Sequence, residues 1–321
     1  MNVVEAADLH RTYRTTTGVL RRRTADVEAV RGVSFAIREG ELFGLLGPNG
    51  AGKTTTIKML ITLLIPSSGS ARVLGRDVVK DAQWVRERIG YVFGGDRGLY
   101  ERLSALDNLR YFAELYAVEP RRQRARIDEL LDLVGLKGRE RERVEGYSRG
   151  MRQRLHIARG LLHDPPVLFL DEPTIGVDPV GARELRALIA SLTQAGKTVL
   201  LTTHYMFEAD SLCDRIAVIS NGEILAQGTP QELKAGVEEG AVVEVEVFGI
   251  DEASVQRVQE LHGVLAVTVE EQEQKQLLIV QTAPGAELTH VILAQLDAVT
   301  VGRVSSREPT LEDAYVQLVT A

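Results

Sequence analysis

Two regions of different architecture follow from the pattern of apolar and polar positions along the chain. From Val3 to about Pro230, short apolar runs alternate with segments whose apolar residues recur at helical spacing. The run Val167–Leu170 is apolar at every position, which is typical of a strand buried on both faces of a parallel sheet. Strands that alternate with helices predict a mostly parallel sheet with crossover helices, so the first region is an α/β domain.

The second region begins where valines and glutamates alternate strictly over residues 243–247. This strand pattern is followed by the patterns of a helix, two strands, a helix, a strand and a last helix from Thr310. The order β-α-β-β-α-β predicts a small ferredoxin-like α+β domain with one added helix. We therefore predict two domains, residues 1–235 and 236–321.

Composition narrows the class of protein. The chain has 321 residues, of which 44% are hydrophobic, and a net charge of −7, which argues against nucleic acid as a partner. Cys213 is the only cysteine, so no intramolecular disulfide can form and a reducing compartment fits. The N-terminus lacks the pattern of a secretory signal. No apolar run reaches the about 20 residues that a spanning helix needs, so any membrane activity would require another subunit.

A glycine-rich segment lies between an apolar strand and a helical pattern. It reads Gly47, Pro48, Asn49, Gly50, Ala51, Gly52, Lys53, Thr54, Thr55. Glycines allow several backbone N–H groups to surround an anion, and the helix N-terminus adds its positive dipole end. Lys53 can reach the β- and γ-phosphates of a nucleotide, and the Thr54 hydroxyl can bind Mg²⁺. The segment predicts a phosphate-binding loop for ATP, and the alternative is a turn that binds nothing.

Two adjacent acids follow the buried strand Val167–Leu170. Asp171 is placed to hold Mg²⁺ or its water, and Glu172 can polarise a water for attack on the γ-phosphate. Acids at strand ends are common, but together with a phosphate-binding loop they predict nucleotide hydrolysis.

At Tyr147–Arg154 the sequence resembles the ATP-binding-cassette ATPases. Ser148 and Gly150 match the signature motif Leu-Ser-Gly-Gly-Gln of that family, whereas Tyr147, Arg149 and Met151 depart from it. The resemblance implies that Ser148 and the helix after it contact the γ-phosphate held by a second cassette. A simple capped helix is the structural alternative.

Three more positions match the family. Asp178, in Glu172–Pro179, resembles the acid of the D-loop, and His204 resembles the switch histidine that bonds the γ-phosphate. Tyr13 lies where the family places an aromatic ring that stacks on adenine. We interpret the remaining histidines as structural or surface residues, because their spacing does not suit a metal site.

One family residue is missing. After Phe93 the family has a glutamine that reaches Mg²⁺ and the attacking water, but this chain has Gly94, Gly95 and Asp96. Asp96, a water or the loop backbone is expected to substitute. The two glycines predict a loop that moves freely.

The resemblance covers Val3 to about Pro230, and residues 308–315 resemble the ending of the drug- and antibiotic-export branch, which includes the daunorubicin-resistance type. Thr310 and Asp313 can also form a local helix cap there. The branch implies an ATPase subunit at the cytoplasmic face of the membrane, working as a dimer, preferably a homodimer, with a separate multi-spanning permease. The expected cargo is a drug, antibiotic, lipid or other hydrophobic compound.

Two alternatives remain at this point. A regulatory ABC ATPase without transport usually has two cassettes or a long coiled coil, and the sequence shows neither. An importer ATPase could use the C-terminal domain as a regulator. We prefer dimerisation or partner docking for that domain, because its strands show no cluster of polar residues.

Overall fold

The computed structural model describes residues 1–17, 23–94, 98–235, 241–272, 275–283, 286, 288–296 and 299–320. The chain forms two compact units, Met1–Gln227 and Gly228–Ala321. The predicted boundary after residue 235 lies a few residues beyond this division.

The first unit contains ten strands and seven α-helices within the described residues. The strands are β1 (Asn2–Thr17), β2 (Arg23–Arg38), β3 (Leu42–Leu46), β4 (Ser68–Val73), β5 (Arg76–Asp77), β6 (Ile89–Phe93), β7 (Val167–Asp171), β8 (Thr198–Thr203), β9 (Arg215–Ser220) and β10 (Glu223–Gly228). The helices are α1 (Lys53–Leu60), α2 (Ala82–Arg86), α3 (Ala105–Leu115), α4 (Pro120–Leu133), α5 (Arg149–Gly160), α6 (Pro179–Gln194) and α7 (Met206–Leu212). A short 3-10 helix, Val144–Gly146, precedes α5.

The central sheet of this unit has the order β10-β9-β3-β8-β7-β6. The pairs β3–β8, β3–β9, β7–β8 and β6–β7 are parallel, as predicted. Every residue of β3, β7 and β8 is buried, which is typical of strands in a parallel sheet that is covered on both faces. The carboxyl ends of these strands therefore meet along one edge of the sheet.

A second, four-stranded sheet has the order β2-β1-β4-β5. Strands β1 and β2, each of 16 residues, form a long antiparallel hairpin. The hairpin contains an irregularity at which Arg11 pairs with Val30 and Thr12 with Glu28, so Ala29 is an extra residue. This bulge turns Ala29 out of the regular ladder.

The helices α3, α4 and α5 form the helical part of the first unit. Ser104 caps α3, because its hydroxyl accepts a hydrogen bond from the Asp107 N–H. Pro120 occupies the first turn of α4, where its missing N–H leaves no bond unmade. The buried apolar positions of α4 (Ile127, Leu130 and Leu131) face the core, as helical spacing predicts.

The second unit consists of α8 (Pro230–Ala235), β11 (Val242–Phe248), α9 (Glu252–Gln259), β12 (Val264–Gln272), β13 (Lys275–Thr282), α10 (Thr289–Ala294), β14 (Thr300–Arg307) and α11 (Leu311–Thr320). From β11 to β14 the element order is the predicted β-α-β-β-α-β. Its sheet has the order β12-β13-β11-β14, with antiparallel neighbours. The valines of β11 are buried, so its alternation reflects one covered face. The predicted start of α10, Glu287, lies outside the described residues.

An ion cluster joins α11 to this sheet. Asp313 accepts hydrogen bonds from Arg307 Nη1 at 2.6 Å and from the Thr310 N–H at 2.7 Å, and Arg307 also binds Glu244. Although burial raises the pKa of Asp313, the bonds from Arg307 and Thr310 hold it below its usual value. The capping box predicted for this segment is therefore present, and an arginine reinforces it.

Replacing Asp313 by asparagine should loosen α11, since the variant loses the charge that binds Arg307. We expect the free energy of local opening to fall by about 1–3 kcal/mol. Hydrogen–deuterium exchange of the α11 and β14 amides measures this change. Glu312→Gln in the same turn is the matched control, because Glu312 is exposed. Equal hydrogen–deuterium exchange in the two variants would show that the ion cluster does not hold α11 on the sheet.

Candidate active site

The loop between β3 and α1 is held close to its neighbours by glycines. A Cβ at Gly47 would lie 2.1 Å from the carbonyl oxygen of Ile219, and one at Gly52 would lie 2.6 Å from that of Ala29. Gly52 also has a φ of +107°, which side chains other than glycine rarely allow. The glycine spacing of the loop is therefore required by backbone contacts on both of its sides.

Lys53 is the first residue of α1, and its side chain turns back into the loop. Its Nζ donates hydrogen bonds to the carbonyl oxygens of Gly47 at 2.7 Å and Pro48 at 3.1 Å. The same nitrogen lies 3.2 Å from Glu172 Oε1, and Lys53 is only 4% exposed. The ammonium is thus held where an anion inside the loop would replace these partners.

The carboxylate of Asp171 is fixed from two sides. Thr54 donates its hydroxyl to Asp171 Oδ2 at 2.8 Å, and Thr202 donates its hydroxyl to Oδ1. Asp171 is buried at the end of β7, while the two threonines belong to α1 and β8. Three elements therefore converge on one carboxylate.

Glu172 has an unusual backbone conformation. Its φ is +50°, a region that residues other than glycine seldom occupy, and its N–H donates to the Thr202 carbonyl at 3.0 Å. The carboxylate has Lys53 at 3.2 Å on one oxygen and His204 Nδ1 at 3.2 Å on the other. The strained turn thus brings an acid, a lysine and a histidine together.

A cavity of about 140 Å³ lies between the loop and Glu172. Residues 48–50 and 52–55 line it together with Glu172 and with Ala29, the bulged residue of β2. This volume is below the roughly 300–1,000 Å³ typical of pockets for whole ligands. It suits phosphate groups, and a base attached to them would lie outside it.

Tyr13 belongs to the β1–β2 hairpin, where it pairs with Val27. The Arg11 guanidinium lies 4.8 Å from the centre of its ring, and Arg11 Nη1 donates to the Ile65 carbonyl at 2.9 Å. Among the described residues, Tyr13 forms no hydrogen bond or ring contact with residues 47–55. The structure therefore fixes the ring but does not join it to the loop.

Ser148, Gly150 and Asp178 form a second group. The Ser148 hydroxyl accepts the Met151 N–H at 3.2 Å and caps α5, while Asp178 caps α6. A Cβ at Gly150 would lie 3.2 Å from Val177 Cγ1, so the start of α5 packs against the D-loop-like segment. Ser148 and Asp178 are both exposed on this surface.

The three departures from the signature motif have local explanations. Tyr147 is buried and donates its hydroxyl to the Arg139 carbonyl at 2.7 Å, and Met151 is buried beside the Arg139 side chain. The Arg149 guanidinium covers Gly176, where a Cβ would lie 2.2 Å from Nη1. These residues therefore tie the signature segment to its surroundings within one subunit.

Gly94 takes the position of the missing glutamine. Its N–H donates to the Asp171 carbonyl at 2.6 Å, and a Cβ there would lie 2.7 Å from the Glu172 carbonyl oxygen. The free movement expected of this loop therefore does not extend to Gly94, because backbone packs directly on backbone. Gly95 and Asp96 lie outside the described residues, so the substitution by Asp96 stays a prediction.

The sequence patterns did not identify three residues that shape this site. Thr202 fixes Asp171, Ala29 lines the cavity, and Arg11 supports the Tyr13 ring. Only Thr202 has a sequence signal, because a pair of threonines at the end of an otherwise apolar strand marks polar side chains in a buried position. The roles of Ala29 and Arg11 depend on a bulge and on contacts between distant segments.

Comparison with known proteins supports the resemblance. Residues 30–175 match the family described as ABC transporter. The chain is 40% identical over 299 residues to the daunorubicin resistance ATP-binding protein DrrA3 of Streptomyces coeruleorubidus, which covers 92% of this chain and 93% of that protein. It is 36% identical over 291 residues to the linearmycin resistance ATP-binding protein LnrL of Bacillus subtilis (strain 168), which covers 90% and 93% of the two chains.

The fold is also that of solved cassettes. A dimeric ATP-binding cassette in a post-hydrolysis state, bound to ADP and Pi, superposes with a TM-score of 0.61 and 26% identity, covering 70% of this chain and 98% of that one. Three observations point to the same family: the geometry of the phosphate loop, the order of the central sheet, and the relatives that align over more than nine-tenths of their length. The chain therefore belongs to the ATP-binding-cassette transporter family, and it is an ATP-binding subunit that hydrolyses ATP.

Proposed function

We propose that this subunit powers the export of a drug, antibiotic or other hydrophobic compound, lipids included, through a separate membrane permease. The observation that carries the proposal is the extent of the similarity to the two resistance proteins. More than nine-tenths of DrrA3 and of LnrL align with this chain, so the alignment extends beyond the cassette into the second unit. A match confined to the cassette would not favour one branch of the family.

Mg²⁺ fits the donor set beside the loop. The Thr54 hydroxyl and the Asp171 carboxylate are 2.8 Å apart, and Mg²⁺ in nucleotide sites typically uses one or two protein oxygens with substrate phosphates and waters. Among the residues that the structure describes, no group of three or more His, Cys, Asp or Glu could form a metal cage. Thr54 and Asp171 would hold the ion, which neutralises phosphate charge when bound.

The contacts of Lys53 supply the first step of the mechanism. The β- and γ-phosphates of ATP compete with Glu172 and the loop carbonyls for the Lys53 ammonium. Once Lys53 binds phosphate, Glu172 is released to accept a proton from the water that attacks the γ-phosphorus. His204, next to Glu172, donates a hydrogen bond to the γ-phosphate. The bond to ADP breaks, and phosphate leaves.

The second group of residues faces a partner cassette in this proposal. Ser148 and Asp178 are exposed where α5 and α6 begin, Gly150 is buried in the first turn of α5, and the N-terminus of α5 favours an anion. Two copies of the chain would each complete the other's nucleotide site. The dimeric assembly of the structural relative supports this arrangement.

We propose that the permease is another polypeptide. None of the described helices has the length and apolarity needed to cross a membrane. Tyr111 and Leu115 of α3 are 45% and 62% exposed, and Tyr100, which precedes α3 and contacts the Tyr111 ring, is 49% exposed. We propose this apolar surface as the docking surface. We propose that the subunit binds its permease at the cytoplasmic face of the membrane.

Glu172→Gln should lower kcat by about 10²- to 10⁴-fold, because the amide cannot accept the proton of the attacking water. ATP binding should be retained. Lys53→Ala is the matched variant for binding, and its ATP dissociation constant should rise by about ten- to a hundredfold. Steady-state hydrolysis and equilibrium binding separate the two effects. Full hydrolysis by Glu172→Gln would exclude Glu172 as the base.

Gly94→Ala should lower kcat by about tenfold, since the new Cβ displaces the Glu172 peptide by an appreciable fraction of an ångström. Gly146→Ala is the matched control, because no atom lies within 4 Å of a Cβ there. Hydrolysis rates of both variants measure the effect. A Gly94→Ala enzyme as active as wild type would show that the close backbone contact is unimportant.

Export is tested in inside-out vesicles that contain the subunit with a co-purifying multi-spanning protein. ATP should drive daunorubicin or another hydrophobic fluorescent drug into the vesicles, and Lys53→Ala should abolish this uptake. ATP-driven movement in the opposite direction would indicate an importer. Failure to isolate any membrane partner, with ATPase activity intact, would favour a regulatory ATPase instead.

A further inference from the structure

A buried carboxylate outside the proposed catalytic set lies beneath the active site. Glu208, in the first turn of α7, is only 1% exposed. A carboxyl group in such a position is costly unless polar groups surround it. The neighbours of Glu208 therefore indicate what it contributes.

One neighbour belongs to the turn that follows Glu172. The Thr174 hydroxyl donates to Glu208 Oε2 at 3.2 Å, and Thr174 is itself buried. The Ile175 N–H closes the turn by donating to the Glu172 carbonyl at 3.2 Å. The Glu208 carboxylate is thus bonded to the same short turn that holds Glu172 at its positive φ.

The other neighbours belong to the segment that carries His204. The Tyr205 N–H donates to the Thr203 hydroxyl at 3.0 Å, and the Glu208 N–H donates to the Tyr205 carbonyl at 3.1 Å. His204 lies between these bonded residues, and its ring packs on Tyr205 with centroids 4.0 Å apart. The backbone of Glu208 is therefore fixed to the histidine segment.

The surroundings balance the buried charge. Burial raises the pKa of the Glu208 carboxyl, and the hydroxyls of Thr203 and Thr174 offset part of that rise, as do Arg186 on α6 and His204. The Thr174 hydroxyl identifies the carboxylate as an acceptor for the turn after Glu172, whereas the bond from the Glu208 N–H holds the histidine segment.

We propose that Glu208 is a positioning residue, which holds the turn after Glu172 against the segment of His204 and so keeps these two side chains aligned for hydrolysis. The inference rests on the proposed roles of Glu172 and His204. Glu208 touches neither the phosphate loop nor, as we place it, the substrate. Its loss should change kcat and not the affinity for ATP.

The decisive comparison is Thr174→Val with Thr174→Ser. Valine keeps the shape of threonine and removes the donor, whereas serine keeps the donor. Thr174→Val should lower kcat by about tenfold or more, because small misplacements of reacting groups are costly, and Thr174→Ser should keep nearly full activity. The ATP dissociation constant should stay unchanged in both. Equal kcat values in the two variants would overturn the proposal.

A double-mutant cycle tests the partner. Glu208→Met removes the acceptor at similar volume, and the double variant Thr174→Val/Glu208→Met should be no slower than the slower single variant. Glu208→Gln keeps an acceptor oxygen and should retain more activity than Glu208→Met. If the kcat losses of the two single variants multiply in the double variant, the residues are not coupled and the proposal fails. The proposal also fails if the loss of activity is explained by variants that melt below the assay temperature.

The cycle separates this inference from the proposed function. If Glu172→Gln hydrolyses ATP normally, the assignment of the base fails. Coupling between Thr174 and Glu208 in kcat would still be measured, because the cycle does not depend on which residue accepts the proton. Coupling without a catalytic Glu172 would show that the pair aligns some other group, and it would overturn the proposal as stated.

Discussion

The parallel register of β3, β8, β7 and β6 is the constraint on which the active site depends. It pairs Leu46 with Thr203, Asp171 with Thr202, and Phe93 with Asp171, so four strand ends meet at one edge. The residues that follow these ends supply the phosphate loop, His204, Glu172 and Gly94. The Thr54 and Thr202 hydroxyls on Asp171 then join the helix of the loop to the sheet. A slip of one residue in any pair would separate these groups.

The parts of this arrangement that sequence reasoning predicted are local ones. The loop Gly47–Thr55, the strand before Asp171 and the cap at Ser148 depend on residues a few positions apart, where propensity and spacing carry the information. The contacts that complete the site join segments distant in sequence. The Lys53–Glu172 ion pair and the approach of Ala29 to Gly52 follow from packing, which periodicity does not report. The polar end of the β1–β2 hairpin has no apolar alternation, so its strand pairing also leaves no periodic signal in the sequence.

The glycine at position 94 changes the way in which this site is connected to the rest of the cassette. In the family that this chain resembles, a glutamine side chain at this position reaches toward the site, and a side chain can move while the backbone stays still. In this chain the backbone of Gly94 is itself hydrogen-bonded to Asp171, and its α-carbon lies against the Glu172 peptide. A displacement of the Gly94 backbone would therefore act on the acids directly. The absence of a side chain is a condition for that contact and not merely the loss of a ligand.

The ion pair between Lys53 and Glu172 balances the charge of two groups that our proposal places in the catalytic site. Lys53 is almost fully buried, and a buried ammonium without an anionic partner would be strongly destabilising. Glu172 Oε1, 3.2 Å from the Lys53 Nζ, provides that partner. The phosphates of ATP bring more negative charge than one carboxylate, so in our proposal they displace Glu172 from Lys53. The general base in our proposal becomes available only when the substrate that needs it is bound, and His204 on its other oxygen keeps the carboxylate in place during the exchange.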